Sequence, residues 1–141
     1  MSNPAPGFEK YPDYQIDLTP EPGTVTLHVA GEVIARSSRA VHLAEQRHAP
    51  VLYMPREDLI DGFFESTDHT TYCPFKGTAT YLSIRAGDIV LDNAVWCYAE
   101  PYDEMEDIRG YVSFYMDRID DLQIDGASSE RHKPRILPKD A

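Results

Sequence analysis

The sequence predicts a mainly β domain, either a compact two-sheet arrangement or a partly open barrel with one or two short helices. Two observations predict it. Apolar and polar residues alternate in short runs, as where Val25, Leu27 and Val29 interleave with Thr24, Thr26 and His28, which is the period of a half-buried strand. Such runs recur at close spacing, broken by Gly, Pro, Asn and Asp, the punctuation of sandwiches and barrels. A length of 141 residues with 42% hydrophobic content suits one domain that buries one core without disulfide or metal staples.

The elements follow in chain order. Residues 1–22 form a proline-rich arm, with Pro4, Pro6, Pro12, Pro20 and Pro22. Proline cannot donate to a sheet ladder, so the arm is expected to be extended, with a short edge strand over Tyr14–Leu18. The β domain spans 23–125. Its first strand runs to Val29, and Gly31 marks a tight hairpin turn into Val33–Ala35. Ala40–Ala44 and Val51–Met54 are further strands. Pro55-Arg56-Glu57-Asp58 predicts a short helix or 3₁₀ turn, because proline suits a first helical position and acids suit the first turn.

The polar stretch Asp61–Thr71 is expected to be a loop. Thr78–Ile84 reads as a strand that turns at Ala86-Gly87-Asp88 into Ile89–Leu91, and Asp92-Asn93 turns again into Val95–Ala99. Tyr102–Arg109 is an acidic short-helix candidate stopped by Gly110. Tyr111–Met116 and Ile119–Ile124 complete the strands. Residues 126–141 read as a polar, mobile tail.

The net charge of -11 argues against nucleic acid as a partner, since a phosphate backbone repels an acidic surface that lacks a segregated basic patch. No apolar run reaches the roughly 20 residues needed to span a bilayer, so no membrane association is expected. The segment Met1–Lys10 lacks the basic-then-apolar pattern of a signal peptide. The expectation is a cytoplasmic protein whose two cysteines, Cys73 and Cys97, stay reduced.

Chemistry concentrates in a few stretches. Thr71-Tyr72-Cys73-Pro74-Phe75-Lys76-Gly77 sets a thiol and an ammonium three residues apart on a Pro/Gly-shaped loop. A neighbouring lysine favours the thiolate, which makes Cys73 the candidate nucleophile; Lys76 can equally bind a carboxylate or phosphate. The plain alternative is a small buried Cys73 beside a surface Lys76. In Asn93–Pro101, strand alternation puts Trp96 and Tyr98 on one face and Val95 and Cys97 on the other. The aromatic pair can line a pocket for a flat ligand or fill a core. Arg56, after Tyr53, offers a planar fork for an anion, and Arg39 precedes a strand from which it reaches a pocket or pairs on the surface.

His69 and Cys73 stand four apart next to Asp68, but zinc normally takes four ligands, or three and a water. His28, His42 and His48 show no paired spacing, so no metal site is assigned. No phosphate-binding, dinucleotide-binding or serine-hydrolase motif occurs, and no cofactor is named by the sequence.

The same stretches resemble the DUF427 family, also labelled NTP_transf_9. The matching pieces are Gly31–Ala35, Ser38-Arg39-Ala40, Tyr53–Asp58, Thr71–Gly77, Asn93–Pro101 and Ile108–Tyr115, in the family's order over residues 23–124. The resemblance implies a fold similar to the Mss4-like, or β-tent, group, in which two sheets splay apart. Relatives in that group bind zinc through paired C-x-x-C knuckles or reduce methionine sulfoxide. This chain has no such knuckles, and Cys73 does not fall in the reductase motif, so neither property carries over. The nucleotidyltransferase label finds no Gly-Ser loop and no D-x-D pair in the sequence.

Three functions fit. The first is binding of a small, anionic ligand in a pocket lined by Arg39, Tyr53, Arg56, Lys76, Trp96 and Tyr98. The alternative is a non-enzymatic interaction module, homo-oligomeric through an edge strand or apolar patch. The third is thiol chemistry at Cys73.

Overall fold

The computed structural model describes residues 2–128. It is mainly β, with two antiparallel sheets. The strands are β1 (Ile16–Pro20), β2 (Val25–Val29), β3 (Glu32–Ser37), β4 (Val41–Glu45), β5 (Val51–Pro55), β6 (Phe64–Cys73), β7 (Gly77–Ala86), β8 (Ile89–Cys97), β9 (Tyr111–Phe114), β10 (Asp121–Ile124) and β11 (Ala127–Ser128). Seven of them form one sheet in the order β1-β4-β5-β9-β8-β7-β6, and four form the other in the order β11-β10-β2-β3. One helix, α1 (Pro6–Lys10), precedes them, and 3₁₀ turns cover Arg56–Asp58, Asp103–Ile108 and Met116–Arg118. No helix among the described residues is long and apolar enough to cross a membrane.

Alternation along the strands builds two cores on the two faces of the large sheet. Leu52 and Met54 of β5, Val95 and Cys97 of β8, and Val112 and Phe114 of β9 face the small sheet, where they meet Val25, Leu27, Val29 and Leu122. The residues between them point the other way. Tyr53, with Leu43, Ala79, Tyr81 and Tyr98, packs beneath the 3₁₀ turn that supplies Met105 and Ile108. The period-two pattern thus decides which side chains reach the second face.

The β2–β3 hairpin turns at Ala30 and Gly31, with φ of 53° and 77°. Positive φ at both central residues is the tight turn that matches strand twist. The turn at Pro55–Asp58 also forms as the sequence expects, over Arg56–Asp58.

Three elements differ from expectation. The arm contains α1, whose first residue is Pro6; one helical turn beginning at proline carries too little periodicity to register. Asp61–Thr71, read as a loop, is mostly strand β6, an edge strand whose side chains are largely exposed on both faces. Without a buried face there is no alternation to detect. Asp92-Asn93 is not a turn but a bulge inside continuous β8. Asn93 takes φ of 51°, the register shifts opposite Ser83, and Ser83 Oγ accepts from the Asn93 N–H at 3.1 Å. A left-handed asparagine gives the same local signal in a turn as in a bulge. The expected tail from Gly126 falls mostly outside the described residues; its first part, Ala127–Ser128, pairs with β10.

Candidate functional site

One row of cross-strand partners defines the second face of the large sheet. Tyr81 of β7 stands opposite Trp96 of β8, Trp96 opposite Ser113 of β9, and Ser113 opposite Tyr53 of β5. Ser113 is the small member of the row. It is fully buried, and its hydroxyl donates back to the Leu52 carbonyl at 2.8 Å. The gap above it lets Trp96 reach across a strand, so that its indole N–H donates to the Tyr53 hydroxyl at 3.1 Å. The two rings meet edge to face, with centroids 6.3 Å apart.

The aromatic surface continues outward. Trp96 leans on Tyr115 at 4.7 Å, Tyr81 leans on His69 of β6 at 4.5 Å, and the hydroxyls of Tyr81 and Thr71 share a hydrogen bond of 2.8 Å. Trp96 is half-buried and His69 and Tyr115 are exposed, so this end of the row meets solvent. Burial pushes the phenols of Tyr53 and Tyr98 well above their ordinary range. Burial and a hydrogen bond with Tyr81 push Tyr115 up to about 12. The face therefore presents neutral hydroxyls at physiological pH.

A second group lies at the β6–β7 turn. Cys73 and Gly77 are register partners, and the Lys76 N–H closes the turn on the Cys73 carbonyl at 3.3 Å. Lys76 Nζ is buried, donates to Glu45 Oε1 at 2.6 Å, and lies 4.0 Å from Cys73 Sγ. Tyr14 donates its hydroxyl to the other oxygen of Glu45. Burial alone raises the Glu45 carboxyl, but the hydrogen bonds from Lys76 and Tyr14 outweigh it and hold the group below the usual carboxylate range.

The segment before β1 clamps this turn. The Gly7 N–H donates to the Pro74 carbonyl at 2.9 Å. Phe75 stacks on Tyr14 at 4.0 Å and meets Phe8 edge-on at 5.0 Å. A Cβ on Gly7 would stand 2.7 Å from Phe75 and 2.9 Å from the Pro74 carbonyl oxygen, so only glycine permits the approach.

Of the residues singled out from the sequence, Tyr53, Trp96, Tyr98 and Cys73 belong to the second face, and Lys76 joins them through Cys73. The two arginines lie elsewhere. Arg39 precedes β4, whose far end carries Glu45; six steps of about 3.3 Å put roughly 20 Å of chain between them. Its guanidinium is held by Asp58 at 2.8 Å and Glu57 at 3.4 Å. Arg56 lines a small groove with Leu59, Phe64 and Leu82, residues that pack on the core between the sheets. Glu45, Tyr14, Tyr81 and Ser113 carry the geometry but were not legible beforehand. Only register places a serine between two aromatics, and only the curl of the sheet brings Glu45 to Lys76. Among the described residues, no three His, Cys, Asp or Glu side chains group as metal ligands.

A family model described as NTP_transf_9, Domain of unknown function (DUF427), matches residues 17–125. The match runs from within β1 to the residue after β10. No curated protein matches the chain.

Proposed function

The chain belongs to the DUF427 family, and from that premise we propose that it binds a small, flat ligand on the aromatic second face of its large sheet. The observation that carries the proposal is the run of rings Tyr53, Trp96 and Tyr115, continued by Tyr81 and His69. It begins buried and ends in solvent, with hydroxyls along it. Ring faces hold a planar molecule by stacking, and hydroxyls at their edges fix its orientation. Lys76 and Arg39 are already neutralised by Glu45, Asp58 and Glu57. Stacking on the rings, rather than capture of an anion by a free cation, therefore supplies most of the affinity.

Trp96 is the single tryptophan of the chain, so its fluorescence reports on this face alone. Purine and pyrimidine bases, aromatic carboxylic acids and sugar phosphates are titrated against the protein, with thermal melting in parallel. A ligand at a hundredfold excess over its dissociation constant adds about 2.7 kcal/mol of stability. Binding is expected to quench Trp96 for flat ligands, to raise the melting temperature, and to weaken in Tyr115→Ala. Unchanged Trp96 emission with every class would overturn the proposal.

A second reading has its own observation. Strand β6 is ten residues long, pairs only with β7 among the described residues, and leaves Tyr72 59% exposed. Such an edge can pair with a second copy. Sedimentation at high concentration tests it, and a strict monomer would reject it.

A further inference from the structure

We propose that Cys73 and Lys76 are a modification site at which dioxygen joins the two side chains through a single bridging oxygen, Sγ–O–Nζ. The inference rests on the geometry of the β6–β7 turn and is independent of the ligand reading. Three features of the site support it.

First, the two reacting atoms are held together. Sγ and Nζ are 4.0 Å apart on a turn whose ends are register partners. The turn cannot easily relax: Pro74 is hydrogen-bonded to Gly7, and Phe75 is packed by Tyr14 and Phe8. Holding reactants in contact replaces a bimolecular encounter with a local one. Closing the remaining gap needs only rotation of the flexible lysine stem.

Second, the amine is positioned. Glu45 Oε1 holds Nζ at 2.6 Å on the side chain's buried course past the sulfur, so the nitrogen need only give its protons to water once the sulfur is oxidised. Third, access is graded. Cys73 is half-buried, whereas the Lys76 side chain is 9% exposed. A small apolar oxidant reaches the sulfur, while the amine is shielded from larger electrophiles.

The step balances as thiol plus ammonium plus dioxygen giving the bridge, one water and one proton. The S–H bond and two N–H bonds of the ammonium break, and S–O and O–N bonds form. Sulfur and nitrogen each give up two electrons. Dioxygen takes all four, with one oxygen entering the bridge and the other leaving as water. A reductant reverses the link at sulfur, as it does for other reversible cysteine oxidation products.

The test uses the full chain, prepared with dithiothreitol under nitrogen and then exposed to air-saturated buffer. The expected product has gained one oxygen and lost two hydrogens. Trypsin no longer cleaves after Lys76, and dithiothreitol restores both mass and cleavage. Cys73→Ser and Lys76→Arg each prevent the product. The inference is overturned if Cys73 remains a free thiol in air. It is equally overturned if Cys73 oxidises to a sulfenic or sulfinic acid while Lys76 is still cleaved, or if the link forms with hydrogen lost and no oxygen gained.

Discussion

Lys76 and Glu45 meet at 2.6 Å between Nζ and Oε1, although the strands that carry them are far apart in the sheet order. Glu45 ends β4, Lys76 immediately precedes β7, and β5, β9 and β8 lie between. In a flat sheet those four spacings, at roughly 4.8 Å each, would separate the strands by about 19 Å. The ion pair therefore reports a sheet curled around its second face, with Tyr14 and the preceding segment drawn across the opening.

This pair is expected to stabilise the curl. Lys76→Met leaves a largely buried Glu45 without its cation, which costs about 3 kcal/mol when a buried pair loses one partner. Replacing both groups, Lys76→Met with Glu45→Leu, removes the stranded charge and recovers most of the loss. Urea unfolding of the two variants checks this. A single variant that unfolds at the wild-type midpoint would show that the pair contributes nothing.

The acid limb of stability follows from the same contacts. Burial pushes both Glu45 and Asp58 up, but hydrogen bonds from Lys76 and Tyr14, and from Arg39 and Ser37, hold each below its ordinary value. The folded state thus binds these protons more weakly than the unfolded chain, where Glu and Asp titrate near about 4. The stabilisation is complete above the unfolded values and is lost as pH falls through the folded ones. Stability is expected to be flat from neutral pH to about 5 and to fall steeply below about 4. Glu45→Gln, followed by urea unfolding at each pH, is expected to flatten that slope.

How much of this was legible in the sequence depended on whether a signal was local. Val95-Trp96-Cys97 carried its facing in strand alternation, and the segment obeys it. Ala30-Gly31 and the Pro55 turn were written in residue chemistry. Strand β6 was not legible, because an edge strand exposed on both sides looks like a polar loop. Arg39 stood in the conspicuous Ser38-Arg39-Ala40 piece and Arg56 in the motif that begins at Tyr53, yet Arg39 turns to Asp58 and Arg56 to the groove beside Leu59. No local pattern fixes which way a long cation points. Glu45 was invisible for a different reason: its role exists only once the sheet has curled.

The clamp on the β6–β7 turn gives a prediction confined to one region. Gly7→Ala places a methyl against the Phe75 ring and the Pro74 carbonyl, so the segment before β1 must lift. Hydrogen exchange is expected to rise across residues 5–15 and 73–77 while the β2, β8 and β9 amides keep their protection. Uniform loss of protection, or none, would contradict a local clamp.

The last prediction concerns the slot above Ser113. Tyr53 is 2% exposed, and its hydroxyl receives the Trp96 indole N–H. Tyr53→Phe keeps the ring and its edge-to-face packing but deletes the acceptor, leaving a half-buried donor without a partner. The expected loss is about 1 kcal/mol, together with a shifted Trp96 emission, because the indole dipole loses its fixed neighbour. Ser113→Val tests the same slot from below. It fills the gap that Trp96 crosses and removes the hydroxyl that donates to Leu52, so it forces the indole outward at a cost of about 1–3 kcal/mol. If both variants left Trp96 emission and the unfolding midpoint unchanged, the indole would not be held by Tyr53, and the aromatic run would lose its buried anchor.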